Sequence, residues 1–343
     1  MVNEKIDISD EIIGFQEEIL NIQTAIAEFE SGHNLNVAII SEPYAGRTTL
    51  LNEIEKMNLH KIIRFSFSSI VKNKDEIILP YQSKRIVLID DCQFLFMRKI
   101  GGFEVLEHFL NSTAAPDKMF ITTWNFYSWK YLDEVMKIGK FFPVQINLPK
   151  FTAGQIKDSI LSGYKKEEIE FVEDVEFEKE RIINFKKYPV AIKPWNKKIN
   201  LPYIRIDYSG LKFRLSKKEK RATIEDIIFE KIHNVSNGNP GVAKIIWLRS
   251  LKYPIIKPSR IKDESLNIEL DYNESFVLNI ILSMKSIKNE EISEITGLDF
   301  EVDKIIFQLS KQGLILTGDC SCTIKPEALK GIIEFLKKLR MVW

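Results

Sequence analysis

The β-branched stretch Asn36 to Ser41 runs into Glu42-Pro43-Tyr44-Ala45-Gly46-Arg47-Thr48-Thr49, and a segment of helical propensity follows. A strand, a tight loop and a helix start in that order turn backbone N–H groups toward one point. That arrangement cradles a phosphate and puts a hydroxyl at the helix start for Mg2+. The phosphate-loop pattern is Gly, four residues, Gly, Lys and Ser or Thr; here Ser41 stands for the first Gly and Arg47 for the Lys. Arg keeps the positive charge but replaces a compact ammonium by a planar fork, which binds phosphate while fitting a transferred phosphoryl group less well. The expected phosphate contacts are Ser41, Ala45, Gly46, Arg47, Thr48 and Thr49, with Thr48 also a metal ligand. An ordinary strand-to-helix turn is the alternative.

A second apolar run, Ile86 to Ile89, ends in the adjacent acids Asp90 and Asp91. At a strand end beside a phosphate loop, Asp90 is placed to hold Mg2+ and Asp91 to polarise an attacking water, although a helix cap or surface turn uses the same residues. Asp is one methylene shorter than the usual Glu, which lengthens the reach to water and slows hydrolysis. A third run, Lys118 to Thr123, leads to Trp124 and Asn125, whose amide is a candidate for orienting water; an Asn there is also a common turn residue. The four His are scattered and the three Cys lack metal-ligand spacing. Zinc chemistry, a disulfide framework and a serine-hydrolase elbow are therefore not expected.

Five short runs must position these residues: Asn36 to Ser41, Lys61 to Phe67, Arg85 to Asp90, Lys118 to Thr123 and Pro143 to Leu148. Helix-period segments such as Ile12 to Phe29 and Gly102 to Leu110 lie between them, the alternation of a parallel sheet with helices packed on it. Residues 1–150 read as an α/β domain and 151–255 as a helical lid. The lid has helices at Gln155 to Ser162 and across Ile224 to Leu251, and an insertion at about 165–221. Residues 265–343 read as a winged helix-turn-helix, with helices at Asn273 to Met284, Asn289 to Ile295 and Asp299 to Gln312, then a hairpin from Leu314 to Ile324.

Over 343 residues, 49 Lys and Arg stand against 48 Asp and Glu, so any polyanion contact must come from a local cluster. The insertion supplies one. Lys165 to Glu180 holds three bases and eight acids, whereas Arg181 to Arg221 holds thirteen bases and two acids, with six aromatic residues interleaved. That combination suits a nucleic-acid backbone and stacked bases; a solvated hairpin, an acidic protein or an anionic membrane surface would use the same charges. The stretch Tyr203 to Ser216 alternates around Ser209-Gly210 as a hairpin would. Asp271 to Trp343, by contrast, carries nine bases and eleven acids, and its expected recognition helix opens with Asp299, Glu301 and Asp303, an unfavourable face for DNA. An N-terminus with acids in place of an apolar core, and no run of 18 apolar residues, lead us to expect a cytoplasmic protein with no integral membrane segment.

Ser41 to Thr48, Asp90-Asp91, Asn125, the lid segment Ser236-Asn237-Gly238-Asn239-Pro240-Gly241 and the C-terminal winged helix together resemble the AAA+ and STAND P-loop ATPases, in particular the archaeal ATPase and origin-recognition branch. Ile13 to Glu18 resembles the segment that lies beside the adenine in that family, and Leu148 to Thr152 its sheet-to-lid junction. The resemblance implies a five-stranded parallel sheet, a helical lid, ATP with Mg2+, and nucleotide-controlled association, with homo-oligomers among the outcomes. The chain departs from the family at Ser41 and Arg47, at Gln16 where an Arg is frequent, and at the lid sensor position, which is Lys244; Arg98 and Arg64 are candidates for an arginine finger. Two functions follow. One is a slow ATPase whose nucleotide state controls assembly on nucleic acid or partner proteins. The other is a nucleotide-binding switch or scaffold with little hydrolysis, holding proteins through the winged helix and the insertion.

If the basic block binds phosphates, changing Lys197, Lys198, Lys217, Lys218 and Lys220 to Glu weakens nucleic-acid binding for all sequences alike and flattens the dependence of log K on log salt. Trp195→Ala then costs roughly 1–3 kcal/mol on single strands and much less on duplex. Titrations of single- and double-stranded DNA and RNA at low salt check both, and absence of binding to any of them moves the function to the protein scaffold.

Overall fold

The computed structural model describes residues 13–33, 35–77, 85–174, 223–262, 268–318 and 321–342, and the backbone of 183–192 and 197–206. Helix α1 (Gln16–Glu30) precedes β1 (Val37–Ser41), α2 (Arg47–Met57), β2 (Ile62–Ser66), β3 (Ile86–Asp90), α3 (Glu104–Ser112), β4 (Met119–Asn125), α4 (Phe126–Met136) and β5 (Val144–Asn147). The five strands form one parallel sheet in the order β2-β3-β4-β1-β5, the α/β sheet expected from the sequence. Every residue of β1, β3 and β4 is buried, while β2 and β5 at the edges are only partly so. Strands covered on both faces read as unbroken apolar runs, which is why Ile86 to Ile89 and Val37 to Ile40 stand out in the sequence.

Chain order and sheet order diverge at β1, which lies between β4 and β5. Ligands in open α/β sheets bind beyond the carboxyl ends of the strands at such a switch point. The register brings the candidate chemistry to that edge: Ser41 pairs with Asn125 across β1 and β4, and Asp90 ends β3 one strand further on. At the opposite end of β1, buried Asn36 ties three elements together. Its Nδ2 donates to the carbonyls of Thr113 (2.8 Å) and Phe141 (3.3 Å), and its Oδ1 accepts from the Phe120 N–H (2.9 Å).

The lid comprises α5 (Ala153–Leu161), α6 (Ile224–Ser236) and α7 (Pro240–Ser250). Thr152 and Thr223 cap α5 and α6 with reciprocal bonds from Gln155 and Asp226, and Lys157 of α5 reaches Glu225 and Asp226. Where the sequence suggested helix from Ile224 to Leu251, the structure has two, broken at left-handed Asn237 and restarted by the Asn239 cap and Pro240. Two short strands, β6 (Glu170–Phe171) and β9 (Ile255–Ile256), pair in parallel on either side of the insertion.

Within the insertion, β7 (Ile183–Ile192) and β8 (Lys197–Ile206) form an antiparallel ribbon with Ile183 opposite Ile206. Tyr203 to Ile206 therefore pairs backward onto Ile183 to Lys186, a different hairpin from the one expected around Ser209-Gly210, which lies outside the described residues. The partner strand Ile183–Ile192 carries Lys and Pro residues, which obscure its strand character in the sequence.

The C-terminal segment folds as α8 (Tyr272–Ser283), β10 (Ile287–Lys288), α9 (Asn289–Thr296), α10 (Val302–Lys311), β11 (Ile315–Gly318), β12 (Ser321–Ile324) and α11 (Leu329–Lys338). Its strands make a small antiparallel sheet in the order β10-β12-β11, so the expected three helices and hairpin are present, with a further helix after them. Helix α10 begins at Val302, so Asp299 and Glu301 precede the helix and only Asp303 lies in its first turn. No helix among the described residues is long and apolar enough to cross a membrane.

Asn36→Ala removes three hydrogen bonds and strands the Phe120 N–H inside the sheet. A loss of about 2–4 kcal/mol in urea unfolding is expected, from unsatisfied buried groups at roughly 1–3 kcal/mol each. A change below about 0.5 kcal/mol would show that the tie does not hold the sheet.

Candidate functional site

Two left-handed residues, Tyr44 (φ 64°) and Gly46 (φ 92°), turn the loop after β1 back into α2. A side chain at residue 46 would be strained by this conformation and would meet the Phe15 ring at 3.0 Å. No side chain caps α2, so its first-turn N–H groups lie beside the loop, and Thr48 and Thr49 are exposed there. Ser41 is buried, with its hydroxyl donating to the Glu42 carbonyl (3.1 Å). Arg47 opens α2 with its side chain only 8% exposed; Nη2 lies 3.5 Å from Asp91 Oδ1, while Nη1 is enclosed without a hydrogen-bond partner among the described residues.

Thr123 of β4 organises the two acids. Its Oγ1 donates to Asp90 Oδ1 (2.6 Å) and accepts the Asp91 N–H (2.9 Å). Asp90 Oδ2 accepts from Arg64 of β2 (3.2 Å), whose other arm donates to Asn52 Oδ1 of α2 (2.6 Å). Asp91 adopts a left-handed backbone (φ 61°). Its Oδ1 accepts from Gln93 Nε2 (2.9 Å), and its Oδ2 accepts from Lys285 Nζ (2.6 Å), which is carried by the C-terminal segment just past α8. Both carboxylates are almost fully buried and each is matched by at least one cation. Burial, reinforced by these two carboxylates, pushes the neighbouring Cys92 thiol well above its usual pKa. The group is a packed, fully buried thiol.

The structure thus brings Ser41, Ala45, Gly46, Arg47, Thr48, Thr49, Asp90 and Asp91 to one end of the sheet. Asn125 is at the same edge but is otherwise employed: Oδ1 accepts the Tyr127 N–H to cap α4 (2.9 Å) and Nδ2 donates to the Leu282 carbonyl (2.9 Å). Both polar groups of the amide are thus engaged within the chain, as those of a turn or cap residue would be. Arg64 is the internal partner of Asp90, and Arg98 sits over the rings of Tyr131 (4.4 Å) and Phe276 (5.3 Å), so both finger candidates are engaged within the chain. Lys244 is exposed on α7. Lys197 and Lys198 begin β8 opposite Ile192 and Ala191; Trp195, Lys217, Lys218 and Lys220 lie outside the described residues.

Lid and C-terminal segment both rest on the loop. Asn239 Nδ2 donates to the Pro43 carbonyl (2.7 Å), the Gly241 N–H donates to the Tyr44 carbonyl (3.0 Å), and a Cβ on Gly241 would meet that oxygen at 2.4 Å. Tyr44 Oη donates to the Ile324 carbonyl (2.5 Å), and burial raises the pKa of its phenol. Phe15, from the segment expected beside the adenine, packs edge-on to Phe151 (5.0 Å between centroids) and against Gly46. Thr123, Gln93 and Lys285 were not legible as site residues. Only the adjacent pair Thr122-Thr123 in a buried strand gave a signal.

No family model matches this chain, and no curated protein does. Among solved structures it is similar to the RuvB Holliday junction branch migration motor of Thermotoga maritima, at 17% identity over 95% of this chain and 96% of that one, with a TM-score of 0.43. It is also similar to the ORC2 protein of Aeropyrum pernix (11% identity, 98% and 97% covered, TM-score 0.45) and to Cdc6p of Pyrobaculum aerophilum (12% identity, 98% and 97% covered, TM-score 0.44).

Asp91→Ala leaves buried Arg47 without the only ion pair it has among the described residues, and a cost of about 3 kcal/mol or more is expected. Lys285→Ala removes a cation that is half exposed, with an expected cost of about 1 kcal/mol or less. Urea unfolding of both variants checks the order. A larger loss at Lys285 would place the support of the acid pair in the C-terminal segment.

Proposed function

We propose that this chain is an AAA+-type ATP-binding protein, with the phosphates held at the loop from Ser41 to Thr49 and Mg2+ held by Thr48 and Asp90. The observation that carries the proposal is Arg47: a buried guanidinium at an uncapped helix start, one arm on Asp91 and the other without a partner among the described residues. A buried charged donor left unmatched is costly, and an anionic oxygen at this position satisfies it. Thr48 and Asp90 offer the hard oxygen ligands Mg2+ takes, in the small number typical where substrate phosphates complete the shell. When bound, Mg2+ would neutralise phosphate charge. The units 1–150, 151–255 and 265–343 serve in this proposal as base, lid and docked C-terminal module.

The chain's own residues favour binding over turnover. Asp90 meets a metal only after leaving Arg64, and Asp91 polarises a water only after leaving Lys285, Gln93 and Arg47. The switch is therefore the second reading, and the Lys285 to Asp91 pair favours it. Arg47 drawn toward a phosphate loosens from Asp91 and shifts the balance of an acid that also holds the C-terminal segment. Control of assembly on nucleic acid or proteins, homo-oligomers and a cytoplasmic site remain part of this proposal, supported by the basic composition of residues 181–221 and by the loop contacts of lid and C-terminal segment.

Calorimetry with ATP and Mg2+ is expected to show binding that Arg47→Ala weakens about ten- to a hundredfold, the worth of one charge-assisted hydrogen bond. Thr48→Ala should weaken the Mg2+-dependent part alone. Steady-state turnover is expected well below about 10 per second. Wild-type protein that binds no adenine nucleotide refutes the proposal, and vigorous hydrolysis refutes the switch.

A further inference from the structure

Away from the loop, a cleft of about 570 Å3 opens between α7, the connector after it and the C-terminal segment. Six cations line it: Arg249 from α7, Arg260 and Lys262 from the connector, and Lys325, Lys330 and Lys338 from the start and end of the last helical stretch. Among the described residues, two acids, Glu327 and Glu334, share its wall. Arg249 pairs with Glu327, Lys330 Nζ donates to the Asn234 carbonyl (3.0 Å) and Arg260 donates to the Ile255 carbonyl (2.8 Å). Among the described residues, Lys262, Lys325 and Lys338 have no ion pair. Val235, Ile246 and Phe335 supply apolar wall between them.

Converging cations are unfavourable without a counter-charge; two of them roughly 8 Å apart repel by about 0.5 kcal/mol even in water. The concentration is also local. The segment from Asp271 onward is net acidic, yet three of its nine bases face this cleft. Concavity and volume match a pocket for a small ligand better than an open track for a polymer, since such pockets run from about 300 to 1,000 Å3.

We propose that this cleft is an anion site for a small polyphosphorylated molecule, bridged between lid and C-terminal segment, and separate from the phosphate loop. Arg260 and Arg249, held by their internal partners, form the rigid wall. Lys262, Lys325 and Lys338 close on the ligand from two sides, so occupancy tightens the C-terminal segment against the lid. The site stands whatever the loop binds.

Inorganic tripolyphosphate is the probe, titrated calorimetrically at low salt into the Arg47→Ala chain to weaken the loop's contribution, and the three cleft lysines then separate the two sites. Binding of one equivalent is expected, weakening as ionic strength rises. The added substitutions Lys262→Glu, Lys325→Glu and Lys338→Glu should weaken it at least about tenfold. The Gln counterparts guard against misfolding: with unchanged circular dichroism and melting temperature they must still lose affinity. No binding to the Arg47→Ala chain, or equal affinity with and without the three lysines, overturns the site. So does single-stranded DNA binding that depends on these lysines while tripolyphosphate is ignored, which would make the cleft a polymer track.

Discussion

Two adjacent carboxylates, Asp90 and Asp91, are buried at the end of a central strand, and the surroundings are arranged around neutralising them. Unpaired, each would cost several kcal/mol to keep ionised out of water. The matching groups come from four places: Arg64 from β2, Thr123 from β4, Arg47 from α2 and Lys285 from beyond α8. The acid pair therefore connects sheet, loop helix and C-terminal segment. It also explains the Arg at residue 47. A planar fork divides its donors between a carboxylate on one side and the loop on the other, which a single ammonium does less well.

The central sheet was legible because its strands are covered on both faces, so that Ile86 to Ile89 and Val37 to Ile40 carry the signal in composition alone. The loop was legible because Gly46 and the hydroxyls after it follow such a strand. Gln93 and Lys285 were not, since their role arises from proximity across the fold: Lys285 meets Asp91 only because α8 docks on the sheet through Asn125 and Ser128. The partners of Asn125 went unread for the same reason. A polar residue ending a strand announces that it needs partners, without saying which. Helix α4 went unread because Phe126 to Met136 mixes aromatic and charged residues without a clean apolar stripe.

Charge in this chain is segregated more than its near-zero sum implies. Acids gather at Lys165 to Glu180 and around the start of α10, bases at Arg181 to Arg221 and along the cleft behind α7. Local fields of opposite sign on one molecule steer anionic and cationic partners to different faces, and that steering weakens with salt.

The parallel pairing of β6 with β9 clamps the chain where it departs toward the insertion and where it returns from the lid. The insertion between β6 and α6 hangs from this pairing and from the packed pair α5 and α6, so its length is only weakly coupled to the cost of closing it: doubling such a loop adds only about 0.6 kcal/mol. The ribbon can thus be lengthened, shortened or exchanged over evolutionary time while the sheet and its acid pair stay as they are, which leaves this appendage as the part of the molecule most open to new specificity.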